Sequence, residues 1–123
     1  MKLSKAEEQV IHHLWKLDRA FMKDLIQEYD LPKPATTTIA TLLKRMKDKG
    51  FIDYEVHGAS RQYFALIDKA DYFKGQFSGM LQNFFGNSAA QFASFFTKST
   101  DLTQKELEEL REIIDQEIAK KKK

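Results

Sequence analysis

The stretch from Lys33 to Leu66, KPATTTIATLLKRMKDKGFIDYEVHGASRQYFAL, constrains the fold most, because its repeat changes from helical to extended at one glycine. Ile39, Leu42, Leu43 and Met46 recur at the spacing of one helix face. The opposite face is small, polar and basic: Thr37, Thr38, Thr41, Lys44 and Arg45. Lys47 and Lys49 flank it, with Asp48 the one acid between them. Gly50 ends the helix, since glycine takes the left-handed cap conformation without steric cost. Beyond it, Phe51–Val56 and Gln62–Leu66 are β-prone runs around His57-Gly58-Ala59-Ser60-Arg61, with Gly58 as the turn residue. A helix with a bare basic face followed by a two-stranded hairpin has the order of a winged helix-turn-helix, and it points to duplex DNA.

The residues upstream agree. Ser4 and Glu7 have the spacing of a capping box. Ala6, Val10, Leu14 and Leu17, widened by Ile11 and Trp15, predict a core-packed helix over Ser4–Leu17. Asp18-Arg19-Ala20 reads as a short connection, and Phe21–Tyr29 as a second helix with Leu25, Ile26 and Tyr29 inward. Pro32 and Pro34 break that helix, because each ring removes a donor and disfavours helix before it. Pro34 fits the first turn of the next helix, where its missing N–H costs nothing, so that helix reads as Pro34–Lys49. Two helices, a tight break and a third amphipathic helix match a helix-turn-helix.

Composition removes several alternatives. At 123 residues the chain is one domain, or a small domain with a helical extension. The net charge of +2 does not by itself indicate nucleic acid. Its distribution does: Lys33, Lys44, Arg45, Lys47 and Lys49 face one acid between positions 33 and 49, whereas the segment Asp101–Glu117 is acidic. The absence of cysteine excludes disulfides, thiolate metal sites and cysteine nucleophiles. No run approaches a membrane span and no signal-peptide core is evident, so a cytoplasmic location without membrane insertion is expected. Adjacent on a helix, His12 and His13 point about 100° apart and suit a partly buried structural role better than a shared metal. His57, at the hairpin tip, can approach phosphate or stand in solvent. No phosphate loop, nucleophile elbow or HExxH motif occurs, so neither an enzyme, a catalytic residue, a cofactor nor a metal is expected.

From Asp68 the character changes. Phe73, Phe77, Met80, Leu81 and Phe84 lie at helical spacing over Ala70–Phe85. Gly86-Asn87-Ser88 interrupts, a short helix then carries Phe92, Phe95 and Phe96, and Lys98-Ser99-Thr100-Asp101 reads as a loop. Thr103 and Glu106 repeat the capping-box spacing ahead of Leu107, Leu110, Ile113, Ile114 and Ile118 on an amphipathic helix. Lys120–Lys123 reads as a frayed, solvated tail that suits the negative end of the helix dipole. So small a segment cannot easily bury so many phenylalanines. They either pack back on the winged domain or bury against a second copy of the chain, and the second option also supplies two reading heads. The expected fold is therefore mostly α with a small β-hairpin. Residues 1–67 form a winged helix-turn-helix DNA-binding domain and residues 68–123 a helical dimerisation region. The expected dimer contacts are Phe73, Phe77, Leu81, Phe84, Phe92, Phe95, Leu107, Leu110 and Ile114.

Three stretches resemble the penicillinase and methicillin-resistance repressor family (BlaI/MecI type). They are Leu3–Trp15 (LSKAEEQVIHHLW), Thr38–Asp53 (TIATLLKRMKDKGFID) with Gln62–Leu66 (QYFAL), and Asp101–Ile114 (DLTQKELEELREII). The middle one, a Thr-Ile-x-Thr-Leu-Leu helix run directly into Lys-Gly-Phe-Ile-Asp, is the most specific. The resemblance implies a dimeric winged-helix repressor whose C-terminal helices dimerise. It further implies that a protease, activated through a membrane sensor, cuts the C-terminal part. The resembled repressors are cut at an Asn-Phe bond, and Ser94-Phe95 stands at the matching position here. An Asn-Phe pair occurs earlier, at Asn83-Phe84, inside the first C-terminal helix. The copper-responsive branch binds metal through C-terminal cysteines, which this chain lacks.

For DNA, the candidate residues are Thr36, Thr37, Thr38, Thr41, Lys44, Arg45 and Arg61. Threonine can donate, accept or touch a thymine methyl, while the later basic residues neutralise phosphate. Arg45 could instead pair with an acid within the protein. The expected partner is a pseudo-palindromic operator bound by a homodimer. The competing class is a winged-helix module that turns its basic helix toward an acidic protein. Binding to random duplex at low salt separates the two.

Overall fold

The computed structural model describes residues 2–122. Helix α1 spans Lys5–Leu17, strand β1 Arg19–Phe21, helix α2 Met22–Gln27 and helix α3 Thr36–Asp48. Strands β2 (Ile52–His57) and β3 (Ser60–Ala65) follow, then helices α4 (Lys69–Phe85), α5 (Ala89–Ser99) and α6 (Gln104–Lys121). The fold is mostly helical with one antiparallel sheet in the order β1-β3-β2, a winged helix followed by C-terminal helices.

The sheet has three strands where the sequence suggests two. Asp18 takes a positive φ of 69° as the C-cap of α1, and the chain turns straight into β1. There Arg19, Ala20 and Phe21 pair with Phe64, Tyr63 and Gln62. The connection read at Asp18-Arg19-Ala20 is thus partly strand. Three residues are too few to show an alternating pattern, and pairing with β3 decides the matter. The hairpin is also tighter than expected. β2 and β3 pair out to His57 and Ser60, leaving Gly58-Ala59 as a two-residue turn with Gly58 at φ 63°.

Two compact units emerge, one ending at Gly75 and the other beginning at Gln76. The core of the first unites Val10, Ile11 and Leu14 of α1 with Leu25 of α2. From α3 come Ile39, Leu43 and Met46, and from the sheet Ala20, Ile52 and Tyr63. Ala6, counted in the apolar stripe of α1, is exposed, and Glu7 is buried in its place. Trp15 Nε1 donates to the Ile67 carbonyl at 2.9 Å, and the Tyr72 hydroxyl donates to Glu8 at 2.6 Å, fixing the first turn of α4. Burial, then that bond to a carboxylate, pushes the Tyr72 hydroxyl up to about 12.

Within the second unit α4 stops at Phe85. Gly86 and Asn87, both at positive φ, reverse the chain, and Ser88 caps α5 by accepting from the Gln91 N–H at 3.1 Å. α5 continues through Lys98 and Ser99, so the loop read at Lys98–Asp101 starts only at Thr100. Thr103 and Glu106 form the expected capping box. The lysine tail does not fray where the sequence suggests: α6 stays helical through Lys121, and Lys120 pairs with Glu117 at 3.2 Å. Lys123, the last residue of that tail, lies outside the described residues.

Candidate nucleic-acid interface

The apolar stripe of α3 fixes which side is left for solvent. Ile39, Leu42, Leu43 and Met46 are buried, whereas Thr36, Thr37, Thr38, Ala40, Thr41, Lys44 and Arg45 are exposed. Pro34 does not enter the helix, which begins at Thr36 behind an Ala35 N-cap that has no capping side chain. The first-turn N–H groups therefore lack a side-chain acceptor. The Thr41 hydroxyl donates to the Thr37 carbonyl at 3.0 Å, which leaves its oxygen lone pairs and its methyl outward-facing resources for a partner.

The basic residues differ more than their spacing suggests. Lys49 is half-buried: its Nζ donates to Glu7 Oε1 at 2.6 Å and to the Lys2 carbonyl at 3.2 Å. Glu7, 1% exposed, also accepts from the Ser4 N–H at 2.8 Å, so the capping box of α1 and the C-cap of α3 share one carboxylate. Burial pushes the Glu7 carboxyl up, but the bonds from Lys49 and Ser4 outweigh it and hold the group below its ordinary value. Lys33 stays exposed but donates to the Gln27 and Tyr29 carbonyls at the end of α2. Both lysines, counted in the basic excess between positions 33 and 49, are thus engaged within the chain. Lys44 pairs with Asp48 at 3.1 Å, and Lys47 lies 3.6 Å from Asp53. Arg45 has no ion pair among the described residues, so the internal partner considered for it is not found.

The wing completes a second wall. Its strands place Arg61 opposite Val56, and the guanidinium lies 4.6 Å from the centre of the Tyr54 ring. Between α2, α3 and the wing runs an open groove of about 910 Å³. It brings Thr36 together with Arg61 and adds Lys23, Ala40, His57 and Ser60. Thr37, Thr38, Thr41, Lys44 and Arg45 do not line it; they occupy the remainder of the exposed α3 surface. Lys23 and Ser60 were missed because one basic residue in a six-residue helix, or one serine beside a turn, carries no periodic signal. His13 packs edge-on against Tyr29 with centroids 4.6 Å apart, and His12 is exposed. Burial depresses the His13 imidazole below its ordinary value.

The profile of the family described as penicillinase repressor matches residues 3–116. The chain belongs to the penicillinase repressor family. It is similar to the methicillin resistance regulatory protein MecI of Staphylococcus aureus (strain N315), 29% identical over 127 residues that cover 93% of this chain and 94% of the relative. It is also similar to the penicillinase repressor of Bacillus licheniformis, 27% identical over 124 residues that cover 98% and 95%.

In this member of the penicillinase repressor family, the C-terminal helices leave much apolar surface uncovered. Phe77 meets Phe92 edge-on at 5.1 Å, and Phe85 packs on Phe92 and Phe95, each with centroids 5.6 Å apart. Yet Phe84 is 78% exposed, and Phe73, Phe95, Leu107, Ile113, Ile114 and Ile118 are exposed as well. Leu81 and Leu110 are half-buried. Ser94-Phe95 stands in the middle of α5. Asn83-Phe84 falls in α4, as expected. No helix among the described residues is long and apolar enough to cross a membrane.

Proposed function

We propose that this chain is a DNA-binding transcriptional repressor that acts in the cytoplasm as a homodimer. The observation that carries the reading is the exposed threonine and basic surface of α3, held on a buried apolar stripe in a chain of the penicillinase repressor family. α3 enters the major groove with Thr37, Thr38 and Thr41 toward base edges, and Arg45 and Lys44 neutralise phosphate. Lys44 must exchange Asp48 for phosphate, while Arg45 has no such partner among the described residues to surrender.

Dimerisation is supported by the exposed rings and aliphatic chains of α4, α5 and α6, because clustered exposed apolar groups mark interaction surfaces. Two heads related by a two-fold axis call for a pseudo-palindromic site with half-sites spaced by whole helical turns. Release follows from cutting near Ser94-Phe95, because each head alone binds far more weakly than two joined heads. Selection of bound sites from random DNA is the test. Paired half-sites are expected; recovery of isolated half-sites alone removes the dimer, and enrichment of nothing removes the repressor reading.

A further inference from the structure

Tyr54 of β2 holds two cations that come from different elements. The Arg61 guanidinium of β3 lies 4.6 Å from the ring centre, and Lys47 Nζ, from the last turn of α3, lies 5.6 Å from it. Strand register explains the first contact. Tyr54 opposes Tyr63 and Val56 opposes Arg61, so alternation puts all four side chains on one face of the sheet. The ring is itself anchored: half-buried, it packs on Tyr63 with centroids 5.5 Å apart. Neither cation is firmly committed to an acid. Arg61 makes no ion pair among the described residues, and Lys47 has only the 3.6 Å approach to Asp53, both side chains being open to solvent. Two like charges with so little compensation repel and would spread apart. The electron-rich face of the ring attracts both and opposes that spreading. A pair of cations fixed in advance gains most against a polyanion, because less side-chain freedom is lost on contact.

We propose that Tyr54 is a positioning residue for duplex binding: its ring holds Arg61 of the wing and Lys47 of α3 at one spacing, so that the two cations act as a unit. The assignment rests on the DNA-binding reading above. It adds Lys47, which flanks the threonine face, to the contacting residues, and it makes the contribution of each cation depend on a ring that touches no DNA.

The test is a double-mutant cycle in the full-length chain, read as affinity for a site selected from random DNA and for a random-sequence duplex. Arg61→Ala and Lys47→Ala are each expected to weaken both probes about fivefold and to lower the slope of log affinity against log salt by about 0.9. In a Tyr54→Leu background the same two changes should cost about twofold or less, because the cations are already loose. Tyr54→Phe keeps the ring and should bind as the parent does. Equal losses with and without the ring overturn the positioning role and leave Arg61 and Lys47 as independent contacts. Parental binding by Arg61→Ala and Lys47→Ala overturns it as well. So does a Tyr54→Phe protein as weak as Tyr54→Leu, since the hydroxyl is then the acting group. Proton NMR of the free protein supplies an arm that needs neither DNA nor a loop of variants. The Arg61 δ and Lys47 ε protons should be shifted upfield by the ring current in the parent, and ordinary shifts there overturn the proposal. Thermal unfolding by circular dichroism checks each variant, and Tyr54→Met replaces Tyr54→Leu in the cycle if leucine does not fold. A parent that shows the upfield shifts but binds neither probe at low salt defeats the DNA-binding reading, and the proposal with it.

Discussion

Replacing Lys49 by methionine keeps the length of the side chain and removes the ammonium that meets Glu7 at 2.6 Å. Glu7 then stays buried with the Ser4 N–H as the remaining donor to Oε1. Removing one partner from a buried ion pair costs about 3–5 kcal/mol when both groups are dry. The Lys49 side chain keeps 28% of its surface, so solvent already screens part of the attraction. A loss of about 2–4 kcal/mol is therefore expected at neutral pH, a large share of a small domain's stability. Urea unfolding followed by circular dichroism, with parent and variant at equal protein concentration, measures it. The pH dependence identifies the cause. In the parent the Glu7 pKa is depressed, so its contribution is present above the unfolded value near 4.5 and is lost as pH falls through the folded one. In the variant burial acts without the ammonium and the carboxyl moves up, so variant stability declines as pH rises past 4.5. The gap between the two proteins must widen from acid toward neutral pH. Glu7→Gln in the variant background keeps an oxygen for Ser4, removes the charge and should recover part of the loss. A deficit below about 0.5 kcal/mol at neutral pH, the range of ordinary surface changes, or one that does not vary with pH, refutes the reasoning.

Thr41→Ala should shift base preference by about 1–3 kcal/mol at one position. Arg45→Ala should instead weaken every duplex and lower the salt slope by about 0.9; parental binding curves for both variants mean that α3 is not the reading helix. Because burial holds His13 below its ordinary 6.5, the unfolded chain takes up that proton first. Stability should fall as pH drops below 6.5 toward the folded value, and His13→Phe, which retains a ring against Tyr29, should flatten that slope in unfolding titrations. A chain ending at Ser94 lacks Leu107, Leu110, Ile114 and Ile118, and analytical ultracentrifugation should find it largely monomeric with reduced operator affinity; a dimer of parental affinity counts against release by cleavage.

The elements with strong periods were legible. The stripe Ile39, Leu42, Leu43, Met46 fixed both the buried face of α3 and, by exclusion, its outer one. The two capping boxes and the stop at Gly50 set helix ends, and β-branched and aromatic residues on either side of Gly58 marked the hairpin. Long-range pairings left no such trace. β1 exists because Ala20 finds Tyr63, some forty positions on in sequence. Lys49 looks like another surface lysine until α1 brings the buried Glu7 beside it, and Lys33 until the end of α2 offers it two carbonyls. Local composition counts charges, whereas only the fold says which of them are already spoken for. The C-terminal breaks were placed too early for a related reason: Lys98, Ser99, Lys120 and Lys121 are polar, and polarity alone does not end a helix that has nothing to stop it.

Under the proposed release by cutting at Ser94-Phe95, the position of that bond within α5 would give release a clock. A protease needs several residues of extended backbone, and a bond inside a hydrogen-bonded helix offers none until that helix opens. When opening and reclosing are fast, the rate of cutting follows the fraction of time α5 spends unwound, and not the supply of enzyme alone. Phe92, clamped between Phe77 and Phe85, is the ring whose packing resists that unwinding. On the proposed mechanism the aromatic cluster would govern two lifetimes at once, that of a paired state and that of the bond whose loss ends it.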